Sequence, residues 1–190
     1  MPQLDWDKFN QLPGSRHRNF EDLCRGMVRK QYGSLGHFRA LKNQPGVEFH
    51  IELTESSPTL GGPPRWWGWQ CKDHTRTLSG HLSAASKNDI KDSLEKTEKH
   101  LPNLTDWVLW TPYTLSKNDQ KWFESLDTDC VLHMWAEEEI EANLDGPGLL
   151  LRQTYFGELV LVPDELAQQH EESIQPIKER WIEPVHQEVS

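Results

Sequence analysis

Gln70 and Lys72 stand two residues apart in WWGWQCK, residues 66 to 72. On a β-strand that spacing projects both side chains from one face, turns Cys71 to the other and leaves the Cys71 carbonyl available as a ligand. Upstream, Glu48, His50 and Glu52 alternate with Val47, Phe49, Ile51 and Leu53, which is the period of a strand with one polar and one apolar face. A hairpin would set Glu48 or Glu52 beside Gln70 and Lys72, bringing an acid, an amide and an amine together. Metal-assisted cleavage of a phosphodiester needs such a set: oxygen ligands for a hard divalent cation, and a positive group to orient water and offset developing charge.

The elements that must position these residues can be traced along the chain. Phe20, Leu23, Cys24, Met27 and Val28 form the stripe of an amphipathic helix, with Asn19 as its expected N-cap and an end near Tyr32 and Gly33. The Gly-, Pro- and Ser-rich segment 54 to 65 is a loop joining the two strands into a hairpin. Residues 86 to 101 read as a surface helix stopped by Pro102, and DWVLWT, 106 to 111, as a short apolar strand. Ser116 with Asp119 resembles a capping box that opens a helix carrying Trp122, Phe123 and Leu126, and 130 to 135 reads as a buried strand. The order α, β, β, α, β, α, β predicts an α/β fold of three layers, α/β/α, with a central mixed sheet.

Beyond that point, 136 to 144 reads as helical, Asp145-Gly146-Pro147-Gly148 breaks it, and 164 to 185 is a polar helix interrupted at Pro176. The expected division is a domain over 1 to 162 and a helical connector over 163 to 190, leading to a further domain.

With Phe20-Glu21 on the first helix, then Gly46-Val47-Glu48, then Trp69-Gln70-Cys71-Lys72, the chain resembles the Mrr-like branch of the PD-(D/E)XK nucleases, which have the restriction-endonuclease-like fold. The likeness covers residues 14 to 126 and includes LPNLTDWVLWTP. It implies that Glu48 and Gln70, with the Cys71 carbonyl, hold Mg2+ or Mn2+, that Lys72 positions the attacking water, and that Glu21 is an auxiliary acid. The strand acid is Glu where Asp is commoner, an amide replaces the second carboxylate, and Glu52 rivals Glu48. Within the branch the chain is similar to N-terminal nuclease effectors of bacterial antiviral proteins, including those fused to NLR-like STAND ATPases. That likeness implies a double-stranded DNA substrate and homo-oligomerisation through regions outside the domain.

Each residue also has a plainer role to set beside the chemical one. Lys72 would be an exposed strand-end lysine, and Glu21 a solvated partner of Arg25 at i+4. His50 and His74 read as polar surface residues, Trp67 and Trp69 as core, and Trp66 as a contact for bases or sugars. The run Glu137 to Glu141 is a solvated helix face, because consecutive glutamates point in different directions.

Composition narrows the options further. At 190 residues the chain fits one domain, and nine Trp and six Phe provide large core side chains despite a hydrophobic content of 35%. A net charge of −10 sits awkwardly with a polyanionic substrate, yet Arg16, Arg18, Arg25, Arg29, Lys30, Arg39 and Lys42 crowd residues 14 to 42. Cys24, Cys71 and Cys130 lie far apart among apolar residues and read as reduced core thiols. There is no apolar run of membrane-spanning length and no secretory h-region in MPQLDWDKFNQ, so a cytoplasmic protein is expected. No Walker A, Rossmann glycine pattern, GxSxG or HExxH is present. The competing reading is a noncatalytic interaction module, nuclease-like or merely Trp-rich, that binds protein or nucleic acid. It has no need of Mg2+ binding that depends on Glu48.

Overall fold

A computed structural model describes residues 4–40, 46–74, 77 and 79–182. Five strands form one sheet in the order β1-β2-β3-β4-β5: β1 Gly36–Arg39, β2 Phe49–Leu53, β3 Trp66–Cys71, β4 Asp106–Trp110 and β5 Val131–Trp135. The first three are antiparallel, while β3, β4 and β5 run parallel. Helices cover both faces, giving the expected three-layer α/β/α arrangement with a mixed sheet.

One face carries Phe49, Ile51, Trp67, Trp69, Cys71, Val108, Trp110 and Trp135. Against it lie α1 (Trp6–Asn10), α2 (Arg16–Tyr32), α5 (Glu137–Leu144) and α6 (Leu149–Phe156), through Phe9, Phe20, Leu23, Met27, Ile140 and Phe156. The other face packs Trp107 and Leu109 against Ile90 and Leu94 of α3 (Ala84–His100) and Phe123 of α4 (Lys117–Glu124). Every one of these side chains is nearly or wholly out of water, and burying each contributes on the order of 2 kcal/mol.

Several sequence expectations need correction. α2 begins at Arg16, with Ser15 at the N-cap, and Asn19 lies inside it. Asn19 is buried, its amide donating to the Pro13 carbonyl and its Oδ1 accepting from the Trp181 indole, so a residue suited to capping serves a tertiary contact. Polar GHFR forms β1, an edge strand with no apolar period to announce it. β5 is the other edge and is exposed at Val131 instead of being buried throughout. His50 is buried and stacked on half-buried Trp66, ring centroids 6.0 Å apart, so it is not the surface residue expected. An unforeseen helix, α6, follows the 145–148 break.

The last helix, α7, spans Asp164–Ile182 with Pro176 inside it and unbroken. It lies along the domain: Ile174 is buried, Thr154 and the His170 ring are 2.7 Å apart, and Trp181 packs edge-on against Tyr155. Arg180 pairs with Asp22 of α2. Packing therefore continues across the expected boundary at 162, and residues 183 to 190 lie outside the described residues. No helix among the described residues is long and apolar enough to cross a membrane.

Candidate metal centre at the carboxyl end of the parallel strands

Gly46 and Gly68 explain how Glu48 reaches the centre. Gly46 has a φ of +94°, and a Cβ there would run into the Thr97 backbone on α3. The turn sends Val47 into the α3-side core, where it rests on Gly68, whose added Cβ would meet Val47 Cγ1 at 2.9 Å. Val47 thus lies on the face opposite Phe49 and Ile51, and the simple alternation fails by one residue at the strand's entry. Glu48 follows, just before β2 begins, its backbone N–H donating to the Trp69 carbonyl at 2.9 Å.

The Glu48 carboxylate accepts from the Gln70 side-chain amide through Oε1 and from the Cys71 backbone N–H at 3.2 Å through Oε2. Glu52 instead pairs in register with Trp66, four residues back along β3, roughly 13 Å at strand rise. The hairpin therefore brings Glu48, not Glu52, to Gln70. Gln70 is 1% exposed, and its Oε1 is buried without a hydrogen-bond partner. A buried acceptor left in that state costs about 1–3 kcal/mol unless something fills it.

Glu21 projects from α2 toward Glu48. His17 Nε2, one turn earlier, is 2.8 Å from Glu21 Oε1, and ligand atoms of His17, Glu21 and Glu48 all lie within 4.8 Å of one another. The Arg25 partnership expected of Glu21 does not form, because Arg25 turns to Asp22. Burial and the negative charge of Glu21 push the Glu48 carboxyl up to about 8, against the opposing pull of Lys72. The His17 imidazole is raised by its bond to Glu21.

Lys72 continues the strand beyond β3, with its N–H on the Trp110 carbonyl. It is 8% exposed, not a solvated strand end, and its ammonium lies 2.8 Å from Asp89 of α3. His74 Nε2 stands 3.3 Å from the same carboxylate. Burial works to raise Asp89, but the Lys72 hydrogen bond and charge outweigh it and hold the carboxyl below its usual value. Asp73, next in line, takes Arg16 from the first turn of α2, and Tyr113 O–H donates to the His74 carbonyl at 2.8 Å. These contacts tie α2, the end of β3 and α3 together around Glu48. Beneath them the Cys71 and Cys24 thiols are both buried, and burial raises both.

All four predicted side chains, Glu21, Glu48, Gln70 and Lys72, thus converge, with the Cys71 backbone among them. His17 and Asp89 were missed. His17 falls before the helix start inferred from Asn19, and a helix's rotation about its axis, which selects Asp89, is not written locally. His17, Glu21 and Glu48 each offer a ligand atom that a cation could use, and the Gln70 amide that bonds Glu48 carries a buried oxygen with no partner. Neither a family model nor a curated protein matches this chain.

Proposed function

We propose that this protein is a metal-dependent endonuclease hydrolysing DNA phosphodiester bonds, built on the PD-(D/E)XK pattern and serving as an effector domain in bacterial antiviral defence. The observation that carries the reading is Gln70: a fully buried amide that bonds Glu48 on one side and leaves its oxygen unsatisfied on the other. Glu48 and Gln70, with the Cys71 carbonyl, would hold Mg2+ or Mn2+, and Glu21 would support them from α2. A bound cation there supplies Lewis-acid polarisation of the scissile phosphate and neutralises its charge.

The chain's own groups do the rest. Lys72, held by Asp89, keeps a positive charge at the rim of the site, where it orients water and offsets charge on the phosphate oxygens. Exposed Arg18, on the first turn of α2, offers a further phosphate contact. Double-stranded DNA is the substrate proposed, and regions outside this domain are proposed to supply homo-oligomerisation.

Plasmid cleavage with Mg2+ or Mn2+ tests the reading, comparing wild type, Lys72→Ala and an EDTA control, with and without forced dimerisation. Metal-dependent cutting that falls to background in Lys72→Ala is expected. An active Lys72→Ala protein overturns the assignment. One observation favours a noncatalytic module instead: Asp89 already neutralises Lys72. That reading requires that Mg2+ binding, measured by calorimetry, be absent or indifferent to Glu48→Ala.

A further inference from the structure

Arg16, Arg25, Arg65, Arg152 and Arg180 are each held by a carboxylate. Arg18, Arg29 and Arg39 have no acid partner among the described residues, and Arg29 and Arg39 line one groove. The groove encloses about 650 Å³ between the C-terminal turn of α2, which supplies Arg29, and the edge strand β1, which supplies residues 36 to 40. Arg29, His37 and Arg39 are exposed, no described acid lines the groove, and the one acid in register with β1 is Glu52, opposite His37. Burial holds Lys30 and His50 below their ordinary values, and the charges of Arg29 and Arg39 respectively lower them further, while Glu52 pulls His50 the other way. In a chain of net charge −10, this is a local surplus of positive charge.

The groove also leads to the candidate site. Arg39 pairs with His50, two residues from Glu48, which places it roughly 8 Å from Glu48 by strand rise and spacing. Successive phosphates on one strand of a duplex advance about 3.4 Å along its axis, so a strand with one phosphate at Glu48 carries its next ones past Arg39. As an edge strand, β1 turns backbone N–H groups outward, and such groups bond phosphate oxygens. Phe38 packs inward on Phe49, ring centroids 5.8 Å apart, which leaves charge and not an apolar anchor to recognise a partner. Resting on the nuclease reading above, we propose that the groove between α2 and β1 is the track along which the phosphate backbone of duplex DNA approaches Glu48, with Arg29, His37 and Arg39 as its phosphate contacts.

Fluorescence anisotropy of a short labelled DNA duplex, titrated in EDTA with the intact protein, both as it is and force-dimerised, tests this over a series of salt concentrations. Arg29→Gln/Arg39→Gln should bind about tenfold more weakly than wild type, and its slope of log affinity against log salt should be shallower by about two. Lys91→Gln/Lys121→Gln, the same charge change on α3 and α4, should alter affinity less than about twofold, and thermal melts of both variants should match wild type. Duplex binding unchanged in Arg29→Gln/Arg39→Gln, or weakened equally by the lysine pair, overturns the groove and leaves the nuclease reading standing. Polyglutamate bound as tightly as the duplex, and with the same dependence on Arg29 and Arg39, assigns the groove to an acidic protein and overturns the proposal. Failure of wild type to bind the duplex in either form overturns it too, with plasmid cleavage deciding the nuclease reading separately.

Discussion

Two carboxylates beside β3, Asp106 buried and Glu48 half-buried, live under opposite conditions. Asp106, at the amino end of β4, is 0% exposed, yet its oxygens meet Arg65 twice, His133 at 2.8 Å and Thr105 at 2.7 Å. Trp67 roofs that cluster, with the His133 ring centroid 4.4 Å away and the Arg65 guanidinium 5.2 Å over its face. Burial works to raise Asp106, but its hydrogen bonds prevail and hold it below the usual carboxylate range. Glu48, at the other end of β3, has one amide, one backbone N–H, a second acid facing it and a lysine already engaged elsewhere, and it sits at about 8. Burial alone therefore does not mark a site. A shortage of compensation does, because a satisfied buried charge is structure and an unsatisfied one is an invitation to a ligand.

The largest expected effect lies at the satisfied end. Asp106→Asn leaves Arg65 and His133 without their anion and should lower unfolding free energy by about 3 kcal/mol in denaturant melts, without abolishing Mn2+ binding. A fall in metal affinity larger than the fall in stability would break the separation of the two ends.

At the other end the sign reverses. Because the folded Glu48 carboxyl lies above its ordinary 4.5, the stability associated with its neutral form is complete below that value and is lost as pH rises to about 8. Metal-free wild type should therefore weaken over that window by up to a few kcal/mol, and Glu48→Gln should flatten the slope. A wild-type profile as flat as the variant's would show that Glu48 is compensated after all. The same shift predicts release of nearly one proton per ion bound at pH 7, read by calorimetry in buffers of different ionisation enthalpy.

Smaller effects sharpen the picture. Asp89→Asn releases Lys72 and should reduce metal-dependent cleavage about tenfold while leaving Mn2+ affinity unchanged. A loss of affinity instead would make Asp89 part of the centre. Glu52→Gln, remote in register, should change stability by less than about 0.5 kcal/mol and leave metal binding untouched.

What the sequence made legible was the hairpin. A Gly/Pro loop between two apolar strands suffices to pair the Glu48 to Glu52 stretch with the strand carrying Gln70, although the alternation breaks at Val47. The register that selects Glu48 over Glu52 depends on Gly46 folding against Thr97 and on Gly68 leaving room for Val47, contacts made by α3 from far along the chain. The Asp106 cluster was invisible for the same reason: Arg65, Asp106 and His133 belong to three separate segments joined only by parallel pairing. His17 escaped because Asn19 suits a cap, and only packing against Trp181 reveals it as interior.

The buried Cys24 and Cys71 pair turns the floor of the site into a clock. Neither thiol can meet a reagent while α2 lies on β3, so the rate of alkylation counts how often that helix lifts away. A ligand bridging α2 to the strands should slow the clock, one bound to the strands alone should leave it running, and the protein thus carries its own gauge of whether the two layers are clasped.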